Sequence, residues 1–387
     1  MYSQKEVLDL VREEDVKFVR LAFFDCKGRQ KNISIMADCL EKAFKDGVSF
    51  DASAVCGFES PDKSDLFLHP DPSTITIIPW RPNTGKVVRM FCNIRRPDGS
   101  PYQKDCRTTL QKAIEAMKRE CGCGLNFGSE IEFYLFKLDE NGKPTKEPFD
   151  SAGYMDIAPE DKGENIRREI CFTLEQMGIT PETSHHEEGP GQNEIDFHYS
   201  DALAAADNAA TFKWIVRTKA AAAGLYADFS PKPLPDHAGS GFHINVSCSD
   251  PSKHQNVLAG ILAHMKEMAY FMNPAESSYR RLGSHKASKF LCWGEQNRSV
   301  CLRVPAAKDG PRVEIRSADS ECNPYIVFSL VIYAAMDGIK RNLTPPSPVS
   351  ENLFERKDSS MERLPDSLDS AKKIAEESEF VKRLFEE

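Results

Sequence analysis

The stretch Leu125–Phe136, LNFGSEIEFYLF, constrains the fold more than any other. Its apolar residues Leu125, Phe127, Ile131, Phe133 and Leu135 recur with period two, the pattern of a strand with one buried face. The opposite face carries Asn126, Gly128, Glu130, Glu132 and Tyr134. Residues two apart on a strand point the same way, so Glu130 and Glu132 project side by side. Two carboxylates so placed repel unless a cation lies between them.

Three later stretches repeat the design. In Asn193–Ser200 (NEIDFHYS), Ile195, Phe197 and Tyr199 alternate with Glu194, Asp196 and His198, and His185-His186-Glu187 lies just upstream. In Gly239–Cys248 (GSGFHINVSC), Phe242, Ile244, Val246 and Cys248 alternate with His243, Asn245 and Ser247. In Arg312–Asp319 (RVEIRSAD), Val313 and Ile315 alternate with Arg312, Glu314 and Arg316. Four strands with such polar faces predict the lining of one funnel. Glu, Asp and His offer donors suited to Mg²⁺ or Mn²⁺. Arginine suits carboxylate or phosphate. Metal, phosphate and carboxylate together point to ATP-driven activation of an acid.

Ahead of these strands, residues 4–14 and 38–46 read as helices. Val16–Phe24 and Gln30–Ile35 read as a hairpin about Asp25-Cys26-Lys27-Gly28. ESPDKSDLFLHPDPS, residues 59–73, reads as a loop, and Thr74–Pro79 and Val87–Ile94 as strands. These elements predict a small sheet domain of about 100 residues, closed by the turn-rich linker Arg95–Pro101. Beyond it, helices are expected at 105–120, 164–178, 201–223, 253–272, 323–342 and 367–386. That order gives an α+β or α/β class with one large sheet covered by helices.

With 387 residues, the chain has room for two domains. A formal charge of −9 argues against a nucleic-acid partner. The N-terminus is polar and no apolar run reaches a membrane span, so a cytoplasmic location without membrane contact is expected. The 12 cysteines include no C-x-x-C pair and read as reduced thiols, several packed in the core.

Five segments together resemble glutamine synthetase of the bacterial type I branch: FGSEIEFYLF, HHEEGPGQNEIDF, DFSPKPLPDHAGSGFHINVS, QNRSVCLRVP, and RVEIRSADSECNPYIVFSLVIYAAMDGI. They occur in the family's order and spacing, and the likeness covers nearly the whole chain. The resemblance implies an α+β fold. A β-grasp-like domain would occupy residues 1–100. A catalytic domain, 101–387, would hold a curved antiparallel sheet, an open barrel covered by helices. It also implies two divalent ions, Mg²⁺ or Mn²⁺, with ATP as co-substrate. Glu132, Glu187 and Glu194 would hold one ion; Glu130, His243 and Glu314 would hold the other. Arg281, Arg316 and Gly239 would bind glutamate. Arg298, Arg303 and Arg312 would meet phosphates, with Ser247 near the nucleotide, and Arg298 and Arg316 would act in catalysis. Asp51, in Phe50-Asp51-Ala52-Ser53, would help to deprotonate the incoming amine from a neighbouring subunit. The active site would then lie between adjacent subunits of a ring-shaped homo-oligomer.

Three departures bear on the reaction. Lys286, in Gly283–Ser288, stands where the family's flap carries a catalytic glutamate, and the loop is one residue shorter. Its charge disfavours entry of NH₄⁺. Ala238 replaces the asparagine before the Gly-Ser-Gly turn. The family's C-terminal tail, which joins two rings, has no counterpart before Glu387, so a single hexameric ring is expected. Phe354 occupies the place of the tyrosine that enteric relatives adenylylate. The leading reading is glutamine synthesis from glutamate and ammonia. The alternatives are a γ-glutamyl ligase using an organic amine, and a catalytically weak homologue with a binding or regulatory role.

Overall fold

The computed structural model describes residues 2–308, 310–356 and 360–386. The chain divides into two compact units, Met1–Gln111 with Glu175–Gly178, and Lys112–Leu174 with Ile179–Glu387. In the first, α1 (Gln4–Glu13) begins with Ser3 and Glu6 capping each other reciprocally. There follow β1 (Val16–Phe24), β2 (Gln30–Met36), α2 (Leu40–Asp46), β3 (Val48–Asp51), β4 (Asp65–Pro70), β5 (Thr76–Ile77) and β6 (Lys86–Arg95). The sheet order is β2-β1-β6-β4-β3, with β5 also on β6. Val19, Leu21, Leu66, Leu68, Val88 and Met90 fill its core.

The stretch read as a loop thus contains β4. Leu66 and Leu68 point inward there, in an alternation only six residues long. Pro61, Pro70 and Pro72 around it hid the signal, since proline usually marks a strand's limits. Conversely, the strand expected at Thr74–Pro79 shrinks to β5. Pro72–Thr74 instead forms a 3₁₀ turn, with Asp71 accepting from the Ser73 amide at 3.0 Å.

Helix α3 (Cys106–Cys121) contains the division between the units. The second unit continues with β7 (Leu125–Leu138), β8 (Pro144–Pro148), α4 (Glu164–Gln176), β9 (Pro181–His186) and β10 (Gln192–Asp201). Then come α5 (Ala202–Ala222), β11 (Leu225–Asp228), β12 (Phe242–Cys248), α6 (His254–Met272) and α7 (Glu276–Arg281). Last are β13 (Trp293–Glu295), β14 (Leu302–Val304), β15 (Val313–Ile315), α8 (Pro324–Lys340), α9 (Leu368–Glu377) and α10 (Glu379–Glu386). The large sheet runs β13-β14-β15-β12-β7-β10-β9, with β8 and β11 also on β7. Every pairing is antiparallel except β13 with β14.

The apolar face of β7 is buried as its alternation requires. Phe127 stacks on Phe328 of α8 with ring centroids 4.3 Å apart, and Phe133 meets Phe212 of α5 edge-on. Helices α6 and α8 touch backbone to backbone. A Cβ on Gly260 would lie 2.2 Å from the Ala334 carbonyl oxygen, so this crossing admits only glycine. One alternation fails. A register shift between Phe197 and Ser200 turns Tyr199 outward, 64% exposed, rather than into the core. The helix expected over 367–386 is two, broken at Ser378, whose hydroxyl accepts from the Val381 amide and bonds Glu267. The twelve cysteines are free thiols, and six of them are buried. No helix among the described residues is long and apolar enough to cross a membrane.

A polar contact ties three of these helices. His264 of α6 bonds Glu267 and, at 3.0 Å, Asp337 of α8, while its ring stacks on Phe380 of α10. Burial lowers the imidazole pKa, but the two carboxylates outweigh it and leave it raised above 6.5. Glu267 and Asp337 are lowered: burial opposes this, and bonding to His264 prevails. The cluster's contribution is therefore complete between pH 4.5 and 6.5. It is lost as pH rises through the raised imidazole value, and again as pH falls through the depressed carboxylate values. Thermal melts from pH 6 to 9 should show that loss. His264→Gln should cost about 1–2 kcal/mol at pH 6 and much less at pH 9; an equal cost at both would remove the charge from the explanation.

Candidate active site

Strand register assembles the polar face. Across β10, β7 and β12, Asp196 pairs with Glu130 and Glu130 with His243. One step along, Glu132 pairs with Glu194, and Glu194 with His185 of β9. On the other side Asn245 pairs with Glu314, and Glu314 with Arg303. Side chains directly opposite on one face stand about 5 Å apart. Three groups consequently have ligand atoms within 4.8 Å of one another: Glu130–His243–Glu314, Glu132–Glu194–His243, and His185–Glu187–Glu194. All line or adjoin a cavity of about 800 Å³.

Neighbouring hydrogen bonds fix these carboxylates. Glu132 accepts from the Gly241 amide at 2.8 Å and from Gln192 Nε2 at 2.9 Å. Glu130 accepts from Asn245 Nδ2 at 2.7 Å and lies 3.3 Å from His243 Nδ1. Burial and the surrounding charges of Asp196, Glu132, Glu130 and Glu187 push Glu194 well above the usual carboxylate range. Burial, offset in part by His243, raises Glu132 as well. Glu130 goes the other way, to about 2: burial opposes, but bonds to His243 and Asn245 prevail. Buried carboxylates that raise one another's pKa, with an imidazole among them, are the donor chemistry that a hard divalent cation stabilises.

Arginines line the same cavity. Glu314, 1% exposed, accepts from Arg303 Nη1 at 2.6 Å and from Arg316 Nη1. Arg312 donates to Asn245 Oδ1 at 3.0 Å, and Arg298 lies in the wall. Arg281, 3% exposed, donates to the Ser317 and Arg316 carbonyls at 3.0 and 3.3 Å. It makes no salt bridge among the described residues. Gly239 packs against it, where a Cβ would sit 2.8 Å from Arg281 Cγ and 2.2 Å from the Pro231 carbonyl. Ala238 is buried and accepts from the Tyr134 hydroxyl at 2.6 Å.

The turn 283–287 closes one side. Gly283, His285 and Lys286 all have positive φ, at 92°, 43° and 63°, costly for the two residues with side chains. Glu188 holds both: Lys286 Nζ lies 3.2 Å from one oxygen, His285 Nδ1 3.1 Å from the other. Lys286 also sits over the Tyr154 ring at 5.2 Å.

Two other expected site residues do not line this cavity, and the resemblance assigns one of them, Asp51, to a neighbouring subunit's site. Ser247 is on β12 beyond the residues that line the cavity. Asp51 belongs to the first unit, where its carboxylate accepts from the Ser53 amide at 2.9 Å and from its hydroxyl. The sequence placed Asp196 on the polar face without a specific role, and gave none to Gln192 or Glu188. Asp196 lines the cavity with one oxygen buried and unpartnered, and its pKa rises to about 6 through burial and the Glu130 charge. The period that singled out Glu194 had already placed it on this face. Gln192, two residues before Glu194 on β10, shares that face and is reached by extending the same alternation. Glu188 had no such signal, because its role comes from meeting the turn 283–287.

Residues 15–97 match the family domain described as glutamine synthetase, beta-Grasp domain, and residues 103–387 match glutamine synthetase, catalytic domain. The chain is 42% identical over 404 residues to a glutamine synthetase of Clostridium saccharobutylicum, covering 99% of this chain and 91% of that one. It is 41% identical over 407 residues to one of Methanosarcina mazei, covering 100% and 91%. Among solved structures, a GmaS/ADP complex superposes with a TM-score of 0.88 at 25% identity, covering 98% and 92%. A glutamine synthetase of Plasmodium falciparum, at 23% identity, shares the fold with a TM-score of 0.88, covering 100% and 93%.

Proposed function

The chain belongs to the glutamine synthetase family, and from that premise we propose that it is an ATP-dependent ligase that joins the γ-carboxylate of glutamate to ammonia. The observation that carries this reading is the convergence of six carboxylates, three imidazoles and five arginines on one cavity. Glu132, Glu187 and Glu194 would hold one divalent ion and Glu130, His243 and Glu314 a second. When bound, such ions offset the charge of a transferring phosphoryl group. Arg281 and Arg316 hold the glutamate, with Gly239 letting the backbone pack closely against Arg281. Arg298, Arg303 and Arg312 face the phosphates.

A carboxylate is a poor electrophile. Its oxygen therefore attacks the γ-phosphorus of ATP, ADP leaves, and the acyl phosphate has a good leaving group. The amine nitrogen attacks the acyl carbon, inorganic phosphate departs, and the amine loses a proton. Asp51 of a neighbouring subunit in a ring-shaped assembly would receive that proton. Release of phosphate from ATP with glutamate, compared with ammonia and a panel of amines, tests the reading. Absence of glutamate-dependent release would end it.

A second reading, an organic amine as acceptor, is favoured by the turn. Glu188, the acid nearest Lys286, is already paired there with Lys286 and His285. No free carboxylate of the turn remains to attract an ammonium ion. Lys286→Glu should raise the ammonia-dependent rate at least about tenfold, the size of one charge interaction near a surface. An unchanged rate would show that the turn does not select the acceptor.

A further inference from the structure

A second cavity, of about 440 Å³, lies apart from the residues used above. Lys146, Lys232 and Arg280 supply three cations to its wall, Ser230 and Ser277 two hydroxyls, and prolines the remainder; no carboxylate lines it. Asp228 offsets one cation, pairing with Lys146 at 2.7 Å. Lys232 donates only to a backbone carbonyl, that of His237. Arg280 has no ion-pair partner among the described residues. Two positive charges therefore face a concave, hydroxyl-bearing space with no carboxylate in its wall, although Asp236 and Glu188 act on Lys232 from outside it.

We propose that this cavity binds a small oxyanion carrying two or more negative charges, a phosphate or a polycarboxylate, between Lys232 and Arg280. Ser277 donates to an oxygen that the cations leave uncovered, while the Ser230 hydroxyl is already bonded to Asp228. Guanidinium and ammonium groups at one mouth are the pairing such anions take.

The cavity is built from the elements that hold the glutamate side of the candidate active site. Helix α7 presents Arg280 to this cavity and Arg281, the next residue, to the other. The loop bearing Lys232 continues to Gly239, and the Pro231 carbonyl accepts from the Ser240 amide at 3.0 Å. An anion bridging Lys232 and Arg280 ties that loop to α7, and so braces Gly239 against Arg281. Occupancy should therefore tighten glutamate binding. This coupling rests on the glutamate reading; the binding itself does not.

Calorimetric titration of the full chain tests the site, with inorganic phosphate and citrate as separate probes. An Arg298→Gln, Arg312→Gln variant removes candidate phosphate contacts of the active site and should keep one saturable site. Adding Lys232→Gln and Arg280→Gln should weaken that site at least about tenfold, with the melting temperature unchanged. Binding of phosphate alone assigns a phosphate site, and of citrate alone a polycarboxylate site. Equal affinity with and without the last two changes, or no binding before them, overturns the proposal. In wild-type protein the anion should lower the KM for glutamate at least about fivefold at constant kcat, and should not do so in Lys232→Gln, Arg280→Gln protein. An unresponsive KM overturns the coupling. If wild-type protein shows no glutamate-dependent turnover, the ligase reading fails, while the titration still decides the anion site.

Discussion

Glu314→Ala is expected to lower glutamate-dependent phosphate release by about 10³-fold and to cost roughly 3–5 kcal/mol of stability. Glu314 is 1% exposed and stands among three groups that it serves at once. Arg303 and Arg316 both donate to it, and His243 Nδ1 lies 4.0 Å away in the group suited to a metal. Alanine leaves Arg316, itself 2% exposed, with an uncompensated charge in the interior. It also removes one of three donors from the Glu130–His243–Glu314 group. Glu314→Gln separates the two consequences. The amide keeps the volume and can still accept a hydrogen bond, so much of the stability should return while turnover stays low. Urea melts and phosphate release on the same preparations check both. Near-wild-type turnover in Glu314→Ala would remove this residue from the site.

How much of this was legible in the sequence depended on the range of the interactions. Alternation within one strand is local, and it picked out Glu130, Glu132, Glu194, His243 and Glu314 before any pairing was known. Register then did what alternation could not: it set Glu194 opposite Glu132 and Glu314 opposite Asn245. The short strands β9, β11, β13 and β14 gave no periodic signal because they have six residues or fewer. They are strands because β7, β10, β14 and β15 offer them partners. The bulge that exposes Tyr199 and the break at Ser378 were hidden for a similar reason. A register shift inserts residues without changing composition, and one serine among charged residues reads as helix surface. Lys286 shows the limit from the other side. Its substitution for an expected acid was visible at once, but its partner Glu188, 98 positions earlier, was not.

Arg281→Met is expected to raise the KM for glutamate about 30- to 100-fold and to leave the KM for ATP within about twofold. The guanidinium is almost wholly buried, and its two terminal nitrogens are held by backbone carbonyls. Burial lowers its pKa, and the charges of Glu132 and Asp319 work against that loss. Neither acid bonds to it among the described residues, so its charge is only partly answered in the free protein. A substrate carboxylate arriving in the cavity would complete that answer, and it is this gain that methionine deletes. The same argument fixes the sign of the stability change. Removing an incompletely paired buried cation should leave the ligand-free melting temperature unchanged or raise it, where a structural arginine would lower it. Arg281→Lys should not restore the KM, because an ammonium cannot span both carbonyls and a carboxylate with the geometry of the planar fork. Kinetics against each substrate and melts without ligand decide the matter together. A lowered melting temperature with an unchanged glutamate KM would make Arg281 a packing residue of the α7 turn.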